Sequence, residues 1–131
     1  MENYSKQREE IIGVIKEMSN YPTAEEIYFV AKQKDPELSR STVYRNLGVL
    51  VKNKVITQIA VSNGPDRYEY IKDIQKHGYA VCSKCGKIDC FDYNFDIDII
   101  KKSILKQTEI EVFDEGFVIK GICNSCKKVQ N

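Results

Sequence analysis

The chain has 131 residues, 42% of them hydrophobic, and a formal net charge of +1. A chain of this length can bury one modest core or two very small ones, and very small cores usually need a metal, a disulfide or a partner chain. No apolar run reaches the roughly eighteen residues that span a bilayer, and the first residues lack the apolar stretch of a signal peptide. We therefore expect a cytoplasmic protein without a membrane partner.

The near-zero net charge gives no general sign of nucleic-acid binding, but the local distribution of charge is uneven. Residues 38–65 contain no acidic side chain, whereas the segment before them contains eight. The basic residues of this stretch are Arg40, Arg45, Lys52 and Lys54. The pattern predicts a locally basic surface, although an ordinary solvated face would carry the same charges.

Apolar residues at helical spacing follow Ser5, a residue type that often caps the N-terminus of a helix. They predict a first amphipathic helix that begins after Ser5 and runs to about Met18. Residues 20–22, which include a proline, end it. The apolar stripe consists of Ile11, Ile12, Val14, Ile15 and Met18.

Two further helices are predicted from their N-terminal caps. Residues 23–26 have the Thr-x-x-Glu form of a capping box, and Asp35 with Pro36 ends the helix that they open. Ser39 caps a third helix, whose inward stripe is Val43, Leu47, Leu50 and Val51. Its opposite, N-terminal face is exposed and cationic and carries Arg40, Ser41, Tyr44 and Arg45.

The period of the sequence then changes from helical to extended. Residues 55–61 are rich in β-branched side chains, residues 62–65 contain a Gly-Pro turn signal, and residues 67–71 predict a returning strand. Three helices followed by a hairpin describe a winged helix-turn-helix domain, which we assign to residues 1–72. The polar residues 73–76 are the predicted hinge.

Residues 77–131 form a second predicted domain. Strands are expected at residues 79–82, 88–91 and 111–122, with a helix over about residues 95–107 on the stripe Ile97, Ile100 and Ile104. The fold class is therefore α+β, with a small α/β domain following the winged helix.

Four of the five cysteines fall into two C-x-x-C pairs, Cys82 with Cys85 and Cys123 with Cys126. In a reducing compartment, paired cysteines more often hold a metal than form disulfides. The spacing lets both thiolates of one turn bind the same tetrahedral zinc ion, and the 37 residues between the pairs must fold back to bring the two turns together. Four thiolates leave no open coordination position, so we predict one structural zinc per chain.

Two other classes of function are disfavoured. A thioredoxin-like redox motif would follow a strand and open a helix, and neither cysteine pair is expected to do so. An enzyme is disfavoured because the chain has a single histidine, its predicted zinc site is closed, and no nucleophile with a base is evident, so no catalytic residue is predicted.

Several motifs together resemble the ferric uptake regulator family, and within it the peroxide-sensing repressor branch. The resemblance covers nearly the whole chain. It rests on six segments, Ser5–Arg8, Pro22–Tyr28, Ser39–Leu47, Arg67–Glu69, Cys82–Lys87 and Cys123–Cys126.

The resemblance implies a homodimer whose two winged helices bind a palindromic operator in double-stranded DNA and repress transcription, with the second domain forming the dimer. It nominates as DNA contacts Thr42, Tyr44 and Arg45, with Arg40 and Ser41 as neighbours on the same face. Arginine can bind guanine through two hydrogen bonds, and hydroxyl side chains can contact bases or phosphates. A core position for Tyr44 is the alternative.

The family's second, regulatory metal site is where this sequence departs from the pattern. Only two of five ligands remain, and Fe²⁺ and Mn²⁺ prefer five or six nitrogen and oxygen donors. Sensing of these ions is therefore expected to be lost or altered. The five positions form a residual sensor pocket of Tyr21, Glu69, His77, Tyr79 and Cys90, in which Glu69 and His77 are the retained ligands.

Cys90 is the one cysteine outside the two pairs, and several roles remain open for it. With His77 it could form a redox- or haem-responsive switch, in which the imidazole lowers the pKa of the thiol. Alternatively, Cys90 is a small buried strand residue and His77 a hydrogen-bonded residue beside the hinge. Asp89 is a poor substitute ligand, because alternation along a strand points it to the opposite face.

Besides a DNA-binding repressor and a switch that acts through Cys90, a third hypothesis is that the chain is a zinc-ribbon module that binds a protein instead of DNA.

Overall fold

The structure of the protein is a computed structural model that describes residues 2–62, 64–72, 77–112 and 117–129, with side chains for all of these except residues 2–5, 77 and 129. The predicted hinge at residues 73–76 lies outside the described residues. Within these ranges no helix is long and apolar enough to cross a membrane. The elements are, in chain order, α1 (Glu2–Glu17), α2 (Ala24–Lys34), α3 (Arg40–Lys52), β1 (Ile56–Ile59), β2 (Arg67–Tyr70), β3 (His77–Cys82), β4 (Ile88–Asp92), α4 (Ile97–Thr108), β5 (Phe117–Gly121) and α5 (Asn124–Val129).

Side-chain caps explain where α2 and α3 begin. The Glu26 amide donates to Thr23 Oγ1 at 3.2 Å, and the Thr23 amide donates to Glu26 Oε1 at 2.9 Å, which completes a capping box. At the start of α3, Ser39 Oγ accepts from the Thr42 amide at 3.2 Å. Each cap satisfies amides that have no partner within the first turn of a helix. Both predicted caps are confirmed.

The first helix begins earlier than expected. α1 starts at Glu2, so the predicted N-cap Ser5 lies inside the helix and that prediction is wrong. The residues around the predicted start include Glu, Lys, Gln and Arg, which are good helix formers and extend the helix toward the N-terminus. Its end at Glu17 agrees with the predicted end near Met18.

The first three helices and the β1–β2 hairpin enclose one apolar core and form the winged helix, which we call the first unit. β1 and β2 are antiparallel, with Ile56 opposite Tyr70 and Ile59 opposite Arg67. Burial of apolar surface from every one of these elements holds the unit together. Its buried side chains are Ile11, Val14, Ile15, Ala24, Ile27, Tyr28, Ala31, Leu38, Val43, Leu47, Leu50, Ile56 and Tyr68.

The remaining strands form a three-stranded sheet in the order β4-β3-β5, which with α4 and α5 we call the second unit. β3 is antiparallel to β4 and parallel to β5, and Gly78 near its start lies opposite both Phe91 and Phe117. A Cβ atom at position 78 would lie 2.7 Å from the Phe91 ring and 2.8 Å from Phe117 Cβ. Only glycine therefore lets the two phenylalanines approach this strand as closely as they do.

The C-terminal elements differ from the prediction in two ways. The strand expected over residues 111–122 is shorter, because β5 spans only Phe117–Gly121, and residues 113–116 lie outside the described residues. The helix α5 has no counterpart in the prediction, because a helix of 6 residues is too short to show an apolar period. The helix expected over residues 95–107 is confirmed as α4.

α4 has no buried side chain. In its predicted apolar stripe, Ile97 and Ile104 are half-buried and Ile100 is exposed. Further large apolar side chains of the second unit are exposed as well, among them Leu105, Ile110, Ile119 and Ile122. A single copy of the chain therefore leaves uncovered an apolar surface of the kind that partners usually bury.

A small apolar cluster joins the two units. Ile59 of β1 is fully buried in it together with Tyr79, Val81 and Ile88 of the second sheet. Tyr21, Val61 and Val118 pack around these four side chains. We call the seven residues the interdomain cluster.

Candidate metal centre and nucleic-acid interface

The two cysteine pairs lie at one end of the second sheet. Cys82 is the last residue of β3, and Cys85 lies in the turn that follows. Cys123 comes two residues after the end of β5, and Cys126 lies in α5. Because β3 and β5 are parallel neighbours, their C-terminal ends bring both pairs to the same edge.

The four sulfur atoms form a compact group that fits a tetrahedral zinc ion. All of them lie within 4.8 Å of one another, and no other group of three or more His, Cys, Asp or Glu ligands is found among the described residues. The Sγ atoms of Cys82 and Cys126 are 3.8 Å apart, as are those of Cys85 and Cys123. Zinc–sulfur bonds of about 2.3 Å in a regular tetrahedron require sulfur–sulfur edges of about 3.8 Å.

Backbone amides favour a thiolate at one corner of this group. The amides of Cys85 and Cys123 lie 3.5 and 3.3 Å from Cys82 Sγ, and these hydrogen bonds lower the pKa of Cys82 to about 6. The hydrogen bond with Cys123, followed by burial, raises the pKa of Cys126 to about 12. The thiolate is the form of cysteine that binds zinc, so the amides prepare Cys82 as a ligand.

The prediction that neither cysteine pair follows a strand and opens a helix is wrong. The Cys123–Cys126 pair does follow a strand, β5, and does open a helix, α5. The distances between the sulfur atoms nevertheless disfavour a redox motif, because each 3.8 Å contact joins a cysteine of one pair to a cysteine of the other. This is the arrangement of a shared four-sulfur site and not of two separate dithiols.

The N-terminal part of α3 presents a polar and cationic face. Ser41 and Arg45 are exposed, and Thr42 is half-buried. Tyr44 is 49% exposed, so the alternative of a core tyrosine is wrong. Arg45 forms no ion pair with any residue that the structure describes, which leaves its guanidinium available to a ligand.

Arg40, the first residue of α3, is engaged within the protein. Its Nε donates to Glu25 Oε1 at 2.9 Å, and its guanidinium carbon lies 4.7 Å from the centre of the Tyr28 ring. The hydrogen bond to Glu25 raises the pKa of Arg40. Since Glu25 offsets the charge of Arg40, Arg45 is the stronger candidate of the two for contacting a base.

Two residues that hold α3 in position have no counterpart in the prediction. The Asn46 side chain is fully buried; its Nδ2 donates to the Thr42 carbonyl at 2.8 Å, and its Oδ1 accepts from Arg8 Nε at 3.0 Å. A buried amide requires such partners, so Arg8 ties α1 to α3. The sequence contains the signal, because Asn46 interrupts the inward stripe three residues after Val43 and four before Leu50.

Four of the five predicted sensor-pocket residues come together between the two units. Tyr79 is only 2% exposed and donates its hydroxyl to Glu69 Oε1 at 2.5 Å. The rings of Tyr79 and Tyr21 meet edge to face with their centroids 6.1 Å apart. Cys90 lies opposite Tyr79 in the register of β3 and β4. The side chain of His77, the fifth residue, lies outside the described part of the chain.

Both tyrosines of this pocket are held in their neutral form. Burial first, and then the hydrogen bond and charge of Glu69, raise the pKa of Tyr79 above the ordinary range of a phenol. Burial, followed by the charge of Glu69, raises the pKa of Tyr21 to about 12. At neutral pH, therefore, Tyr79 is a hydrogen-bond donor and Glu69 accepts from it.

Cys90 lacks the buried environment that was one alternative for it, and the side chain of His77, which the other alternative requires, lies outside the described residues. Cys90 is exposed, so the prediction of a small buried strand residue is wrong. Partial loss of water, followed by the charges of Glu69 and Asp92, raises the pKa of its thiol. A thiol-based oxidation sensor needs the opposite shift. Asp89 lies opposite Ala80, one position along the ladder, and so faces away from the pocket as expected.

Comparison with known proteins gives a consistent result. A sequence model described as the Ferric uptake regulator family matches residues 3–120. The ferric uptake regulation protein of Bacillus subtilis is 30% identical over 123 residues, which cover 92% of this chain and 82% of that protein. The peroxide operon regulator of the same organism is 29% identical over 125 residues, which cover 95% of this chain and 84% of that protein.

Solved structures agree with the sequence comparison. The ferric uptake regulator of Helicobacter pylori, described as having three functional metal-binding sites, is similar with a TM-score of 0.69 and 30% identity, over 93% of this chain and 80% of that one. The peroxide stress regulator of Campylobacter jejuni has a TM-score of 0.70 over 95% of this chain and 91% of that one. Its 23% identity supports the likeness of fold alone.

Proposed function

Because the chain belongs to the ferric uptake regulator family, we propose that it is a zinc-stabilised transcriptional repressor that binds a palindromic operator as a homodimer. Members of the family are transcription regulators that bind DNA and function as dimers. We further propose that residues on the exposed face of α3 contact bases, that each chain binds one structural zinc and that the operator has two-fold symmetry. We also propose that sensing by a second metal is lost.

The observation that carries the proposal is the exposed face of α3. Tyr44 and Arg45 project from a helix that is capped by Ser39 and fixed to α1 through Asn46, beside a two-stranded wing. A rigid helix with an available arginine near its N-terminus suits insertion into the major groove, where arginine can bind guanine through two hydrogen bonds.

The small number of buried apolar side chains in the second unit supports both a structural zinc and a second copy of the chain. This unit has few buried apolar side chains, and α4 contributes none of them. A four-cysteine zinc site supplies folding free energy directly. A second copy would cover the exposed stripe of α4, and a two-fold dimer reads two inverted half-sites.

Loss of regulatory metal sensing is supported by the state of Glu69. This retained carboxylate accepts the hydroxyl of the buried Tyr79 at 2.5 Å, and Tyr21 supplies a ring at a position where the family pattern has an imidazole. A metal such as Mn²⁺ would have to displace the Tyr79 hydroxyl and would find too few nitrogen and oxygen donors.

Selection of binding sites from a random pool of DNA duplexes tests the proposal. The purified zinc-loaded protein is expected to enrich two inverted half-sites separated by about one helical turn, or a multiple of it, between their centres. Enrichment of no sequence would contradict the proposed function and would favour a module that binds protein. Enrichment of a single, asymmetric site would contradict binding of a palindromic operator by a homodimer.

The reading role of α3 is tested by Arg45→Ala. The substitution is expected to weaken binding to the selected operator by about 1–3 kcal/mol and to relax the preference for one base, because a bidentate contact is lost. Lys52→Ala is the matched control: Lys52 is exposed at the other end of α3. Equal binding by the wild type and the Arg45 variant would exclude this residue from base recognition.

A further inference from the structure

We propose that Tyr79 is a positioning residue for operator binding: through Glu69 it fixes the wing relative to the dimer-forming unit and thereby sets which half-site spacing the dimer accepts. This inference rests on the proposed function and adds the means by which the two reading helices are held at a defined separation. It concerns residues that a regulatory metal site would otherwise use.

The contact between Tyr79 and Glu69 crosses from one unit to the other. Tyr79 belongs to β3 of the second sheet, and Glu69 belongs to β2 of the wing. The phenol is 2% exposed and its oxygen lies 2.5 Å from the carboxylate, so water competes poorly for the Tyr79 hydroxyl. A hydrogen bond to a charged acceptor is roughly twice as strong as one between neutral groups, and it is directional.

The wing is in turn fixed to the helices that carry the reading face. The Tyr68 amide donates to the Pro22 carbonyl at 2.9 Å, and Arg67 Nη1 donates to the Tyr21 carbonyl at 3.1 Å. These carbonyls lie in the loop that leads directly into α2, and the Tyr68 ring is part of the core that also contains α3. A force on Glu69 is therefore transmitted to α3 through a packed unit.

The apolar part of the interdomain cluster does not fix an angle by itself. Ile59, Val81 and Ile88 make contacts that are non-directional and tolerate small sliding movements. The hydrogen bond from the Tyr79 hydroxyl to Glu69 adds a polar contact with a defined direction, and the edge-to-face Tyr21 ring holds the phenol in place.

Small movements at this contact change which spacing of half-sites the dimer can bind. Successive base pairs are about 3.4 Å apart along the duplex. A shift of α3 by about 3 Å in each protomer is therefore enough to make the dimer accept half-sites that are one or two base pairs closer or farther apart. A fixed contact predicts a narrow spacing optimum, and a loosened contact predicts a broad one.

The experiment uses the full-length zinc-loaded dimer and a series of operators derived from the selected site, with the central spacer changed by one or two base pairs. For the wild type we expect a sharp optimum. For Tyr79→Phe, which keeps the ring and removes the hydroxyl, we expect the ratio of affinities between the optimal and altered spacers to fall by about tenfold or more, equivalent to about 1.4 kcal/mol. Zinc content and dimer mass should be unchanged.

Three further variants separate positioning from a merely structural role. Glu69→Ala removes the acceptor on the half-buried wing and should broaden the optimum as Tyr79→Phe does. Glu69→Gln retains a carbonyl oxygen that can accept from Tyr79 and should keep the optimum sharp. Tyr93→Phe is the matched control, because Tyr93 lies in a separate aromatic group with Phe91, Phe95 and Phe117.

An unchanged spacing profile for both Tyr79→Phe and Glu69→Ala would overturn the inference, and Glu69→Ala alone decides if the tyrosine variant fails to fold. Small-angle scattering of the free zinc-loaded protein provides a readout without DNA: both variants should show a broader distribution of interdomain distances than the wild type. If the wild type selects no operator, the proposed function fails, while equal scattering curves would still overturn the positioning role separately.

Discussion

The two units of this protein differ in how many apolar side chains they bury. The first unit encloses a cluster of thirteen buried side chains contributed by three helices, a hairpin and, through Leu38, the loop between α2 and α3. In the described part of the second unit, the buried apolar side chains are Tyr79, Val81, Cys82 and Ile88, and three of these belong to the interdomain cluster. The first unit thus has an extensive apolar core of its own, whereas under the proposed function the second relies on zinc, on its contact with the first unit and on a second copy of the chain.

Removing zinc is the strongest way to break this difference. We expect chelation, or Cys85→Ser, to unfold the second unit and dissociate the dimer while the first unit stays folded, because binding of structural zinc is worth about 10–16 kcal/mol in small domains. Hydrogen exchange of β3 and β5 amides, compared with those of α2 and α3, measures the effect unit by unit.

The matched control for zinc removal is Cys90→Ser, which changes the exposed cysteine outside the four-sulfur group. This variant should retain one zinc per chain and its dimer mass. A chelated protein that remains dimeric, with β3 amides still protected from exchange, would show that zinc is dispensable for the second unit.

A core substitution should destabilise the first unit and leave the second unit intact. Ile27→Ala, at a fully buried site in α2, is expected to lower the free energy of unfolding of the first unit by about 2–5 kcal/mol, because it leaves a cavity. Denaturant unfolding followed by helical circular dichroism measures this loss. Zinc content should not change.

The neighbouring Phe29 provides the control for that experiment, since its side chain is 64% exposed on the same helix. Phe29→Ala should change the free energy of unfolding by no more than about 0.5 kcal/mol. Equal effects of the two substitutions would refute the assignment of the core to the inner face of α2.

The apolar stripe of α4 gives a smaller and more specific effect. Ile100→Lys should weaken dimerisation by about tenfold or more, because burial of an isoleucine contributes about 1.5–3 kcal/mol and a two-fold interface contains it twice. Sedimentation of the zinc-loaded protein over a range of concentrations measures the change. The unfolding of the first unit should be unaffected.

Ile99→Lys is the matched control on the same helix. Ile99 is 68% exposed, but Asp96, Lys102 and Ser103 surround it at helical spacing, so it lies on the polar side of α4. It should leave the dimer intact. Dissociation by Ile99→Lys, but not by Ile100→Lys, would move the interface to the other face of α4.

The sequence was most informative where a local rule decides the structure. The capping box of Thr23 with Glu26, the cap at Ser39 and the inward stripe of α3 each depend on neighbouring residues, and the structure has all of them. The prediction that Ser5 caps the first helix failed because a serine can also lie inside a helix when its neighbours are strong helix formers.

The parts that could not be predicted depend on contacts between distant segments. The spacing of Cys82 and Cys85 indicates a zinc site, but only the parallel pairing of β3 with β5 brings the second pair alongside. The sequence resemblance implies that Tyr79 stands at a ligand position of the family, yet its hydrogen bond to Glu69 is a property of the packed interface between the units. Exposure of Cys90 likewise follows from packing and not from its strand position.

The central claim is that the zinc-loaded dimer holds its reading helices in position without a second metal. The most direct test is the operator affinity of protein containing one zinc per chain, measured by fluorescence anisotropy while Mn²⁺ or, without oxygen, Fe²⁺ is added. We predict an affinity that does not depend on either ion. A tightening by about tenfold or more, equivalent to about 1.4 kcal/mol, would contradict the claim.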